Sequence, residues 1–333
     1  MVFAIFLSFS VGGLHKMLRK RNILVLLLLC CTTAGAQQTS QKIEHPYTGI
    51  SLIQRTITPP DLPRAVNMKI LHIDLKARGL RFKLSPRAGQ LEVVNQPTLD
   101  FLVEEGAQFA VNSHFYLPVN ARETKLIGLA ASVGDVYSGF EAPEQTYAIV
   151  DYAPGIAIDA QNHAKVVHCD RRFPEGKHIL EKMKIWNALG GSAQIVTNGA
   201  VTIPVYKDDA HPQGRLTPGS GYSNAPANSP NLGPWYDVPN PRTAIGLSKN
   251  NRILTIFVAD GRGAGGSYGL TGNEMAIILI RDFDVYNAIN LDGGGSTTLA
   301  MKDPESGEPR LVNVPSDKPP RSVGSSLAIF AVR

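Results

Sequence analysis

The sequence predicts an α+β fold: a central, twisted, mixed β-sheet with flanking helices in a single compact domain. Three observations carry this expectation. Short segments of alternating apolar and polar residues recur along the chain, whereas only three stretches follow a helical period. Glycine (31) and proline (23) are too frequent for a helical bundle. Among the 333 residues, 43% are hydrophobic and 18% charged, which fits a folded chain with a sizeable core and excludes a disordered or collagen-like one.

The chain opens with a leader. Met17–Asn22 is basic, Ile23–Cys31 is an apolar run, and Ala34-Gly35-Ala36 is a small-residue cleavage pattern. These are the three parts of a secretory signal peptide, and the run is too short for a membrane anchor. The expected organisation is a signal peptide over 1–36, an extended lead-in over 37–64 and a folded domain over 65–333. The expected location is secreted or periplasmic, with no membrane span after cleavage. Leu29 precedes Cys30 and Cys30 precedes Cys31, where a lipobox places Gly, Ala or Ser, so lipidation is not expected. Cleavage after Ala36 leaves only Cys169, so no internal disulfide is expected.

The leader also explains the net charge of +5. It holds four of the 33 basic residues and none of the 28 acids, leaving 29 against 28. A near-neutral domain offers no electrostatic reason to bind nucleic acid.

Past the stiff Thr58–Pro63 segment, Leu71, Ile73 and Leu75 alternate, Arg78-Gly79 turns, and Leu80, Phe82 and Leu84 alternate again, which reads as a hairpin. Thr98 is placed to cap a helix through Glu105, stopped by Gly106. Strands are expected at 109–111, 128–133, 146–151 and 155–159, and a helix at 176–189. Asn198-Gly199 joins two short strands. The stretch 204–241 is rich in Pro, Gly, Asn and Ser and reads as a long loop, a candidate lid. Strands at 243–247 and 253–259 lead into the glycine-rich 260–270. Thr271 and Glu274 form a capping box for a helix with Met275, Ile278 and Leu279 on its apolar stripe. Strands at 288–291 and 326–332 complete the sheet.

Three motifs are set aside. Gly261-Arg262-Gly263-Ala264-Gly265-Gly266 matches a dinucleotide fingerprint, but the helix opens only at Thr271, too late for its dipole to meet a pyrophosphate. Gly265-Gly266-Ser267-Tyr268-Gly269 matches a nucleophile elbow, but the last histidine, His211, precedes it, which leaves Ser267 a weak nucleophile candidate. His163, His168 and Cys169 lack a fourth ligand at a metal-binding spacing.

Two loops that follow apolar strands carry the chemistry. One is Asp260-Gly261-Arg262, the other Asp292-Gly293-Gly294-Gly295-Ser296-Thr297. Consecutive glycines leave backbone N–H groups able to converge on an anion, Ser296 and Thr297 add hydroxyls, and Arg262 and Arg242 suit phosphate. Phosphate held beside carboxylates fits cleavage of a phosphate-linked sugar.

These segments resemble the phosphodiester glycosidase family. The resemblance runs over about 65–333. It is carried by Val111-Asn112-Ser113-His114-Phe115-Tyr116, Asn198-Gly199, Pro241-Arg242-Thr243-Ala244-Ile245-Gly246, Asp260-Gly261-Arg262, Gly269-Leu270-Thr271 with Glu274, Leu291-Asp292-Gly293-Gly294-Gly295-Ser296, and Val312-Asn313-Val314-Pro315 with Arg321-Ser322-Val323-Gly324. It implies hydrolysis of a sugar-1-phosphodiester of the N-acetylglucosamine type, releasing the sugar. Ser113-His114 stands where the family has a Gly-Gly pair and is expected to reshape the sugar pocket.

Asp292 and Glu274 are the leading acid/base or water-orienting pair, with Asp260 orienting Arg262 or Arg242. Asn112 is expected on a sugar hydroxyl, Arg321 on phosphate, and Gly293, Gly294, Gly295, Ser296 and Thr297 around the phosphate. A divalent cation, calcium or magnesium, suits Asp260 with Asp292 but is not required, and no metal ligand is assigned. Two other readings stay open: a carbohydrate- or phosphate-binding module without turnover, and a metal-dependent phosphodiesterase that breaks P–O.

Overall fold

The computed structural model describes residues 39–140, 152–203, 206–208, 211–215 and 238–333. The expected signal peptide, the strand expected at 146–151 and most of the candidate lid lie outside the described residues.

The largest sheet has eight strands, in the order Ser40–Tyr47, Ile50–Ile57, Val66–Asp74, Ile253–Ala259, Arg242–Ser248, Val285–Asn290, Ala193–Thr197 and Ala200–Val201. Both its faces are buried, and alternation sorts its side chains between them. Leu71 and Ile73, with Leu254, Ile256 and Val258, enter the main core. Val66, Met68 and Ile70, with Phe257 and Ala259, face the other way and pack with Met275, Leu279 and Phe283 of the helix Gly272–Phe283.

Two five-stranded sheets complete the body. One runs Pro309–Leu311, Leu299–Lys302, Phe109–Asn112, Ser326–Phe330, Arg81–Leu84. The other runs Asp135–Ser138, Ala130–Ser132, Asn187–Gly190, Gly155–Ile158, Ala164–Val167. Phe109, Val111, Leu299 and Leu327 of the first and Ile156 and Leu189 of the second share the main core with the large sheet.

Several expectations need correction. The described strand pairings are antiparallel, so the sheets are not mixed, and there are three large sheets instead of one. The extended lead-in holds Ser40–Tyr47 and Ile50–Ile57, which form a hairpin on the large sheet. Its alternation is blurred by Lys, Glu and Gln, since Ser40–Tyr47 is an exposed edge. The expected hairpin around Arg78-Gly79 is a crossing between sheets: Val66–Asp74 pairs with Ile253–Ala259, and Arg81–Leu84 with Ser326–Phe330. The helix expected at 176–189 is absent, and Asn187–Gly190 is a strand. The helix Thr98–Glu105 begins one residue earlier than expected, capped by Pro97 without a side-chain bond, while Thr98 Oγ1 meets Ser326 Oγ. Gly106 ends it in the left-handed conformation, as expected.

Candidate active site

The 292–297 loop leaves the sheet beside its central strands. Leu291 is fully buried, and its N–H donates to Thr243 O at 2.9 Å. Asp292 N–H then donates to Ser113 O (2.9 Å), and Asn112 Nδ2 donates to Asp292 O (2.7 Å). Asn112 Oδ1 accepts from Thr243 Oγ1 and Thr298 N–H, both at 3.0 Å. This buried amide therefore joins three segments and fixes the backbone of Asp292. With no exposed surface, it does not reach a sugar as expected.

The loop also departs from the expected anion cradle. It turns through a short 3₁₀ segment, Gly294–Ser296, and most of its donors are used inside the fold. Gly293 N–H bonds Asp292 Oδ1, Gly294 N–H bonds Pro241 O, and Ser296 and Thr297 N–H bond Gly293 O and Gly294 O. The glycines instead make room for guanidinium groups. At Gly294, where φ is +61°, a Cβ would lie 2.8 Å from Arg262 Nη2. At Gly295 it would collide with both Arg321 Nη2 and Asp317 Oδ2.

These arginines face a cleft of about 450 Å³. Asp292 and Gly293–Gly295 line one side, with Arg262 and Arg321. Phe115, Tyr116, Val119 and Ile127 give an apolar side, and Asn120 and Asn240 add amides. Arg262 is positioned by Nε–H donation to Asn240 Oδ1 (3.2 Å). Arg321 pairs with Asp317 and points Nη1 at Ser296 Oγ (3.4 Å). Burial pushes the Asp292 carboxyl up to about 6, against the pull of Ser296, Arg321, Gly293 N–H and Arg262. Tyr116 donates its hydroxyl to Ser322 O (2.9 Å) and contacts Ser296 and Arg321. Burial, aided by the Asp292 charge, pushes that phenol up to about 12.

A model of the phosphodiester glycosidase family matches residues 105–330, the span that holds the cleft. The chain belongs to this family. It is 35% identical over 106 residues to the N-acetylglucosamine-1-phosphodiester alpha-N-acetylglucosaminidase of Mus musculus, and 34% to that of Homo sapiens. Each match covers 30% of this chain and 19% of the relative. The fold resembles the pro-peptide-inhibited catalytic domain of the zebrafish enzyme, with TM-score 0.54, 18% identity, and 88% and 87% of the two chains covered. It also resembles a Burkholderia pseudomallei protein described as exported, with TM-score 0.56, 13% identity, and 88% and 96% covered.

The family's segments converge unevenly on the cleft. Asp292, Gly293–Gly295, Arg262 and Arg321 line it, and Ser296 sits just behind them. Thr297 is buried, its Oγ1 lying 3.5 Å from Thr243 Oγ1. Glu274 lies elsewhere: its carboxylate closes the capping box at Thr271 and pairs with Arg64, beside a separate cleft. Arg242 does not line the phosphate side as expected. It is fully buried and donates to Leu270 O (2.9 Å) and Val238 O (2.7 Å), a strut between loops.

Asp260 is also sealed away, its carboxylate bonded within the fold and not to Arg262 or Arg242. Its Oδ1 accepts from Asn313 Nδ2 (2.9 Å) and Val314 N–H (3.1 Å), and burial raises it to about 6. Among the described residues, no group of three or more His, Cys, Asp or Glu side chains is arranged to hold a metal ion. Ser267 is a buried brace, donating to Asp260 O and accepting from Asn67 N–H.

Ser113 and His114 do not line the cleft. Both are buried beneath the Asp292 loop, where His114 Nε2 accepts from Gly190 N–H (2.8 Å) and Nδ1 faces Ser325 Oγ (2.9 Å). Burial lowers that imidazole to about 4. Sequence reasoning missed Asn240 and Asp317 and gave Tyr116 no role. The sole signal for Asp317 was an acid four residues before Arg321.

Proposed function

We propose that this protein is an exported hydrolase that cleaves the C1–O bond of a sugar-1-phosphodiester, with an N-acetylglucosamine-like sugar, and releases the sugar. The observation that carries the reading is the cleft itself: one carboxylate of raised pKa, Asp292, beside two guanidiniums that can hold a phosphate. Family membership supports the reaction class, and the leader with its Ala34-Gly35-Ala36 pattern supports export.

In this reading the phosphate lies between Arg262 and Arg321, and the sugar ring lies toward Phe115 and Tyr116. Water adds to C1 as the C1–O bond breaks, and the bond electrons leave with the phosphate. Asp292 takes the proton from water or steadies the positive charge at C1. A phosphate oxygen is a good leaving group because its second ionisation lies near about 6. It needs no strong acid, so one carboxylate in contact with the substrate is enough. Ser296 and Tyr116 position Asp292 and Arg321. The chemistry requires no resident metal.

Product analysis on a panel of sugar-1-phosphodiesters, with and without chelator, tests this. Free reducing sugar, unaffected by chelator, is expected. Sugar 1-phosphate identifies P–O cleavage instead, and no product identifies a binding module.

A further inference from the structure

Asp317 is the acid paired with the cleft arginine Arg321, and nothing in the proposed chemistry uses it. Its Oδ2 accepts from Arg321 Nε–H at 2.9 Å and lies 2.8 Å from Nη2. Each of these side chains is about one-third exposed (34% and 33%), so the pair sits at the rim of the cleft and not in the core. The pair lies flush against Gly295, where any Cβ would strike both groups. Arg262, by contrast, is held by the neutral amide of Asn240. The two arginines are therefore not equivalent. Arg262 is held by no carboxylate of its own, whereas Arg321 offers directed N–H groups whose charge Asp317 offsets.

The charge count has a chemical meaning. Two guanidiniums face two carboxylates, Asp292 and Asp317. A phosphodiester carries one negative charge, and a phosphate monoester near neutral pH carries about two. A seat built to hold a dianion gains nothing from a carboxylate on one of its arginines, because each added substrate charge also meets that carboxylate.

We propose that Asp317 is a specificity-determining residue: laid on Arg321 at the Gly295 face of the cleft, its carboxylate makes the phosphate seat select monoanionic phosphodiesters over dianionic phosphate monoesters. This rests on the phosphate seat of the proposed function. It also bears on turnover, since breaking C1–O leaves a monoester with a second ionisable oxygen, and the same repulsion favours its release.

The test is binding, so it does not depend on catalysis. Dimethyl phosphate and methyl phosphate are titrated calorimetrically into the mature protein and Asp317→Asn at about pH 8, where methyl phosphate is a dianion. The wild type is expected to bind methyl phosphate no more tightly than dimethyl phosphate. Asp317→Asn is expected to tighten dimethyl phosphate about fourfold and methyl phosphate about sixteenfold, the effect of one and of two charges ~5 Å from the lost carboxylate in water. Equal tightening of both anions, no tightening, or a wild type that prefers methyl phosphate overturns the assignment. If melting shows that Asp317→Asn is unfolded, the wild-type comparison decides alone. Anion selection without sugar release sinks the glycosidase reading and leaves the Asp317 assignment standing. A wild type that binds neither anion overturns both.

Discussion

Asp260 and Asp292 invite comparison because they are alike in the property most often used to find active sites. Each follows a strand of the eight-stranded sheet, and burial lifts each carboxyl to about 6. Their surroundings differ. Asp292 opens on the cleft among Ser296, Arg262 and Arg321, whereas Asp260 is 2% exposed, with Oδ1 bonded to Asn313 and Val314 N–H. Asn313 also donates to Thr297 O, so Asp260 braces the loop that carries Asp292. A raised pKa reports desolvation, and only access to a cavity turns it into chemistry.

The largest effect that can break this comparison is at Asp292. Asp292→Asn keeps the acceptor for Gly293 N–H and removes the charge. Turnover is expected to fall roughly a hundredfold or more, with the melting temperature nearly unchanged. Steady-state kinetics and a thermal melt check this, and near-normal turnover would make the loop a mere turn.

The two arginines that sequence reasoning placed together should separate next. Arg262→Ala is expected to weaken substrate binding about tenfold and leave the melt nearly unchanged. Arg242→Ala removes the guanidinium donors to Leu270 O and Val238 O and empties a buried volume. It is expected to cost about 3 kcal/mol or more and to lower the melting temperature by several degrees. Melts and KM values on both variants sharpen the contrast between cleft and strut.

The smallest effect on turnover is expected at Asp260. Its folded pKa lies above its ordinary value of 3.8, so the folded state holds the proton longer than the unfolded chain. Stability from this group is full at low pH and falls as pH rises from about 4 through about 6, by on the order of 2–3 kcal/mol. Asp260→Asn is expected to flatten that fall in urea unfolding across this window and to change turnover only a few-fold. An unchanged pH slope would contradict the burial account.

The same contrast explains what was legible in the sequence. Strands 243–247 and 253–259 were plain because two apolar runs flank the turn residues Ser248-Lys249-Asn250-Asn251. The Thr271–Glu274 capping box was plain because it is local, and for the same reason it left Glu274 committed to the helix. The grouping of strands into three sheets was not legible, since period-two alternation does not say which strand is the neighbour. The Asp292 loop stood out by its glycines, but for the wrong reason: they seat Arg262 and Arg321 instead of offering N–H groups. Asn112 and Arg242 were read as ligand contacts because burial, not residue type, decides whether an amide or a guanidinium faces substrate or backbone. Asp317 was hidden because its partner lies in a loop without periodic structure.

The central claim is that the cleft around Asp292 breaks the sugar–oxygen bond, and the fate of solvent oxygen tests it most directly. Hydrolysis of a sugar-1-phosphodiester in heavy-oxygen water, followed by mass spectrometry of both products, is expected to place the label on the sugar hydroxyl at C1 and none on phosphate, with the rate lost in Asp292→Asn. Label on phosphate, or label incorporation that survives Asp292→Asn at the wild-type rate, would contradict the account.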